Sequence, residues 1–181
     1  MVAIPNPLTR AVGDKFTAAR WNADVVDAFN FLARDKPVCQ VSQATTQSIA
    51  SSNLAPISFD AETLDTDGQH SNVTNNTRVL IGQTLGWYRC SGIVAFGAAT
   101  GARRGVEVAL NGVSVNGSQV FVTGTTTAQF IGVPMPPFWV EATSASDYVE
   151  LRGFQDTGGA CPTAVSGGFR SSFTVEWVRK N

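Results

Sequence analysis

Hydrophobic positions change period once along this chain. Between residues 16 and 36 they recur every three or four positions, and from residue 38 onward mostly every second one. Trp21, Val25, Ala28, Phe29 and Leu32 fall at i, i+4, i+7, i+8 and i+11, one apolar stripe on a helix. Asn22, Asp24, Asp27 and Asn30 mostly occupy the other side. Asp14 or Thr17 can cap the helix by accepting a hydrogen bond from a first-turn amide, and Pro37 ends it. Residues 1–13 carry Pro5 and Pro7 and close on Gly13, which predicts an extended arm. A lone helix this short is marginal in water. Its stripe needs a partner: its own body, identical chains, or a larger assembly.

After the helix the pattern predicts strands at 38–44, 54–59, 78–81, 86–96, 105–110, 118–122, 128–133, 138–142, 148–154 and 169–178. In the last, Phe169, Ser171, Phe173, Val175 and Trp177 alternate with Arg170, Ser172, Thr174, Glu176 and Val178, one face in a core. Asn111-Gly112 signals a tight hairpin, since both residues tolerate positive φ, and Asn116-Gly117 a second turn. Short strands with turns at this spacing predict a mostly β fold. It is a single jelly-roll β-sandwich over 37–181, preceded by an arm and short amphipathic helix over 1–36. The segment Pro134-Met135-Pro136-Pro137-Phe138-Trp139 holds three residues that cannot donate ladder bonds, so it is an edge or a rigid crossover. Phe138 and Trp139, with Phe96, are assigned to the core or to a subunit interface. Aromatics on a rigid platform could alternatively stack on sugars.

Composition narrows the function. Charged residues are 15% of the 181, which fits a surface partly covered by other subunits, and the net charge of −1 favours neither nucleic acid nor an anionic membrane. No apolar run is long enough to span a bilayer, and no basic stretch precedes an apolar one as in a signal peptide. Cys39, Cys90 and Cys161 show neither zinc spacing nor a disulfide framework. They read as buried thiols, with Cys90–Cys161 the better pair if a bridge forms. His70 is the one histidine, in a polar loop, so triads and multi-histidine metal sites lack parts. Asp65, Asp67 and Gly68 match a fragment of a calcium loop but read better as a turn held by aspartate side chains. Glu107, Glu141, Glu150 and Glu176 are isolated on strands and read as surface residues, and Arg103-Arg104 as a solvated edge. No catalytic residue, metal or cofactor is expected.

Two resemblances add to this. Phe59-Asp60, the polar loop, Gly86-Trp87-Tyr88, Leu110-Asn111-Gly112, Ser146-Asp147-Tyr148-Val149-Glu150-Leu151 and Phe173-Thr174-Val175-Glu176-Trp177 occur in this order. In this the body resembles the trimeric jelly rolls typified by tumour necrosis factor and the globular heads of the first complement component. The opening Ala3-Ile4-Pro5-Asn6-Pro7, Phe16-Thr17-Ala18-Ala19, Asn22-Ala23-Asp24-Val25 and Asp27 to Leu32 resembles small virion proteins of tailed phages of actinobacteria. These resemblances imply a homotrimeric, non-enzymatic structural part of a virion, made in the host cytoplasm. It would be a minor tail, fibre or capsid-decoration protein, joined to other virion proteins through Trp21, Val25, Ala28, Phe29 and Leu32. The alternative is a carbohydrate-binding module for a host-surface glycan, carried on loops at the end of the jelly roll away from the N-terminus.

Overall fold

A computed structural model describes residues 17–101, 103–124 and 126–180, with Pro5, Ala11 and 13–15 before them. Most of the predicted arm, and Phe16, lie outside the described residues.

The helix, α1, runs over 18–35. It alternates α-helical segments (Ala18–Trp21, Asp27–Asn30) with wider π-helical turns (Asn22–Val26, Phe31–Asp35). Thr17 is the N-cap, its Oγ1 accepting from the Arg20 amide at 3.3 Å. Lys36 is already extended, and Pro37 follows.

Among the described residues fifteen strands follow: β1 Val38–Ser42, β2 Ser48–Ile49, β3 Asn53–Pro56, β4 Ala61–Asp65, β5 Val79–Leu80, β6 Gly86–Ala99, β7 Arg103–Leu110, β8 Val113–Ser114, β9 Val120–Thr123, β10 Gln129–Ala142, β11 Tyr148–Gln155, β12 Cys161–Pro162, β13 Val165–Ser166, β14 Phe169–Arg170 and β15 Ser172–Arg179. One sheet has the order β10-β6-β15-β1-β4. The second has β3-β11-β7-β8, with β5 on β11 and β9 on β7. The pairs are antiparallel, and the two sheets enclose a core. Val41, Phe173, Val175, Cys90 and Val94 come from the first sheet, Val106, Val108, Val149 and Leu151 from the second, all buried. Phe59 stacks on Phe173 with ring centres 6.2 Å apart. This is the mostly β jelly roll that the alternation predicts. Asn111 and Gly112 have φ of 51° and 80°, the two left-handed positions a tight β7–β8 turn requires.

Two features differ from the sequence reading. The proline segment does not divide two strands. β10 runs through it as the sheet's edge, with one extra residue between Met135↔Gly92 and Phe138↔Cys90. Such a bulge flips the faces beyond it. Val133 and Met135 point inward before it, Val140 and Ala142 after it, and Trp139 is turned outward, 50% exposed. Second, Glu107 and Glu150 are buried rather than on the surface, and so is Arg104. Arg104 donates to the carbonyls of Gly101 and Ala99 at 2.9 and 3.1 Å, while Arg103 stays outside and pairs with Asp156. The three cysteines are buried and free, as the sequence reading has them, and the alternative Cys90–Cys161 bridge is absent. Burial pushes the Cys90 thiol up to about 12.

Candidate functional site

The apolar stripe of α1 stays largely exposed. Trp21, Val25, Phe29 and Leu32 are 47%, 39%, 70% and 65% exposed, and Ala28 is half-buried. No residue of the helix before Phe31 is buried. Phe31, outside the stripe, makes the attachment. Only 3% exposed, it meets the Trp177 ring edge-on at 5.1 Å. The Trp177 indole in turn donates to the Leu85 carbonyl at 3.2 Å. The helix is therefore held at its base, and its apolar stripe remains largely exposed to solvent. Phe31→Ala removes that anchor. The expected result is at least tenfold faster tryptic cleavage at Arg20 and Arg34, read by mass spectrometry.

A row of side chains leads from the helix base across the outer face of the five-stranded sheet. Lys36 pairs with Glu176, and Arg89 bonds the other Glu176 oxygen. Arg89 lies opposite Trp139 in the β6–β10 register. Beside them Trp87, Trp139 and Arg179 line an open cleft of about 300 Å³, with the Arg179 guanidinium 5.8 Å from the centre of the Trp87 ring. Of the other residues assigned to core or interface, Phe96 is wholly buried in the core and faces no axis. Phe138 is half-buried, close to the Gly117 turn. Leu85 and Trp87 lay within a predicted strand or its approach. Only the register with β10 and β15 reveals that Trp87 joins Trp139.

Lys36 holds the Glu176 carboxyl below its ordinary range, chiefly through its hydrogen bond; burial opposes this, and Arg89 adds to the lowering. A carboxyl with a lowered folded pKa stabilises the fold above its unfolded value of about 4.3 and loses that contribution as pH falls through the lower folded value. Glu176→Gln is thus less stable than the parent at pH 7, and the gap closes below about pH 4. Thermal melts of both proteins from pH 7 to pH 3 measure this.

The remaining candidates are occupied structurally. The His70 ring is buried between the Glu62 carboxylate, 2.9 Å away, and the Asn76 carbonyl at 3.2 Å. Asp65 accepts from the amides of Asp67, Gln69 and His70, the aspartate-held turn the spacing predicts. Among the described residues no group of three His, Cys, Asp or Glu is placed to hold a metal ion. Glu107 accepts from Ser114 at 2.8 Å and Gln119 at 2.7 Å, and Glu150 from Thr77 at 3.2 Å. Arg152 lies between the two carboxylates, 3.8 Å from Glu107 and 3.2 Å from Glu150. The Glu107 bonds fasten β7 to the covering β8 hairpin, and the Glu150 bond fastens β11 to the segment before β5.

A five-stranded sheet packed on a six-stranded one, with this strand order, defines a jelly roll like that of tumour necrosis factor. Murine APRIL at pH 5.0 superposes with a TM-score of 0.54 at 10% identity, covering 78% of this chain and 98% of that one. The Eiger TNF from S. frugiperda gives 0.57 at 8% identity, covering 82% and 96%. At these identities the likeness is one of fold. No protein-family model matches the sequence, and no curated protein does.

Proposed function

We propose that this chain is a structural part of a phage virion, a homotrimeric jelly roll joined to tail or capsid proteins through its N-terminal segment. One observation carries the reading: the apolar stripe of α1 is exposed while the sandwich buries its own core completely. A folded body that leaves such an apolar stripe exposed is built to be covered by something else. The outer face of the five-stranded sheet, with Trp87 and Trp139 open, supplies the surface for threefold packing. The phage resemblance of the N-terminal residues supports the virion setting, and the tumour-necrosis-factor resemblance of the body supports three copies. The reading requires no catalytic step. Light scattering of the purified full chain gives three copies if it holds, and image reconstruction of the particle places the chain at a threefold-symmetric position. A monomer in solution together with absence from purified particles overturns it.

The Trp87–Trp139–Arg179 cleft also favours a second reading, recognition of a host-surface glycan, because indole faces stack on sugar rings. A glycan array with the full chain decides. Binding that Trp139→Ala abolishes, at unchanged mass by light scattering, supports it, and silence at millimolar glycan overturns it.

A further inference from the structure

The charges around the Trp87–Trp139 cleft are not balanced. Two rows of residues cross β10, β6 and β15 there: Glu141, Trp87 and Arg179 in one, Trp139, Arg89 and Glu176 in the next. The two indoles are therefore diagonal neighbours on the outer face, within reach of one ring lying across both. The volume, about 300 Å³, is at the small end of ligand sites and suits one or two sugar residues. Lys36 and Arg89 share the Glu176 carboxylate. Arg179 differs from them. Among the described residues its side chain has no carboxylate partner and no hydrogen bond; its guanidinium rests against the Trp87 ring. Glu141, across Trp87 from it, does not line the cleft. Lys36, Arg89 and Arg179 against Glu141 and Glu176 leave this face positive, in a chain whose net charge is −1.

We infer that the cleft takes an acidic saccharide, a sugar ring lying on the indoles and its carboxylate or phosphate paired with Arg179. The inference rests on the glycan reading above and names the class of glycan. A guanidinium presents its donors as a planar fork that fits either anion. Such charge-assisted bonds are about twice as strong as neutral ones. Contact with the Trp87 ring holds the guanidinium in place without using its N–H donors. A neutral sugar stacks on the indoles equally well but leaves that charge unmatched.

A glycan array carrying charged and uncharged forms of the same backbones tests this with the full chain. Galacturonic acid oligomers beside their methyl esters isolate the carboxylate. N-acetylglucosamine 6-phosphate beside N-acetylglucosamine isolates the phosphate. Calorimetric titration then gives the affinities. The expected result is at least tenfold tighter binding of a charged form than of its neutral partner. That preference is lost in Arg179→Gln and kept in Arg179→Lys, while Trp139→Ala loses both forms. Arg179 and Trp139 are exposed, and thermal melts confirm that each variant keeps its fold. Equal binding of charged and neutral forms, or a preference that survives Arg179→Gln, overturns the acidic class and leaves the glycan reading standing. A silent array overturns both.

Discussion

Replacing Arg152 with methionine is expected to lower the unfolding temperature by about 10 °C. Arg152 sits directly across the β7–β11 ladder from Glu107 and two residues along from Glu150. Glu107 is wholly buried and the Glu150 side chain is 6% exposed, so neither carboxylate has water to fall back on. Removing the one guanidinium both share leaves Glu107 with two neutral donors, Ser114 and Gln119. Glu150 keeps Thr77 and the half-exposed Arg78. The Arg152 bond to the Gly112 carbonyl at 2.7 Å is lost as well, which loosens the β7–β8 turn. Breaking a buried ion pair on one side costs about 3–5 kcal/mol, and in a chain of this size each kcal/mol is worth about 2–4 °C. Calorimetry measures the drop. The double variant Glu107→Gln with Arg152→Met removes one of the stranded charges and is expected to recover part of the loss. A fall of less than about 3 °C in the single variant would show that the carboxylates find other partners.

That cluster also marks how far the sequence could be read. The β15 alternation, the Asn111-Gly112 turn and the helix cap at Thr17 are local signals, and each stands where its spacing places it. Glu107 and Glu150 alternate with core residues as outward-facing positions do, and they do face outward from the sheet. Glu107 is covered by the hairpin over 113–119 and Glu150 by the segment carrying Thr77 and Arg78, tertiary covers that no local pattern announces. Arg104 follows the inward parity of Val106 and Val108, but a guanidinium at such a position gives no sign that it will be satisfied by loop carbonyls. The two prolines at 136 and 137 marked an edge correctly, yet the extra residue they accommodate shows only in the register with β6. Without that residue Trp139 would point into the core. At the helix, the stripe was legible as a face in need of a partner. The anchor Phe31 lies off the stripe, so periodicity alone gave no reason to choose it.

The same helix carries the largest functional effect. Trp21→Asp combined with Phe29→Asp is expected to leave the sandwich folded and to abolish assembly. Both side chains are exposed and neither touches the core, so the unfolding transition of the β body keeps its temperature. In the proposed assembly these side chains are covered, and burying a large apolar side chain is worth about 1.5–3 kcal/mol. Losing two, with carboxylates in their place, weakens that proposed contact by about 3–6 kcal/mol per chain, more than a hundredfold in dissociation constant. Circular dichroism and thermal melts follow the fold, light scattering the copy number, and complementation of a phage lacking the chain its presence in particles. A double variant that forms trimers and enters particles normally would remove the helix face from assembly. The Trp87–Trp139 face of the sheet would then have to hold the copies together alone.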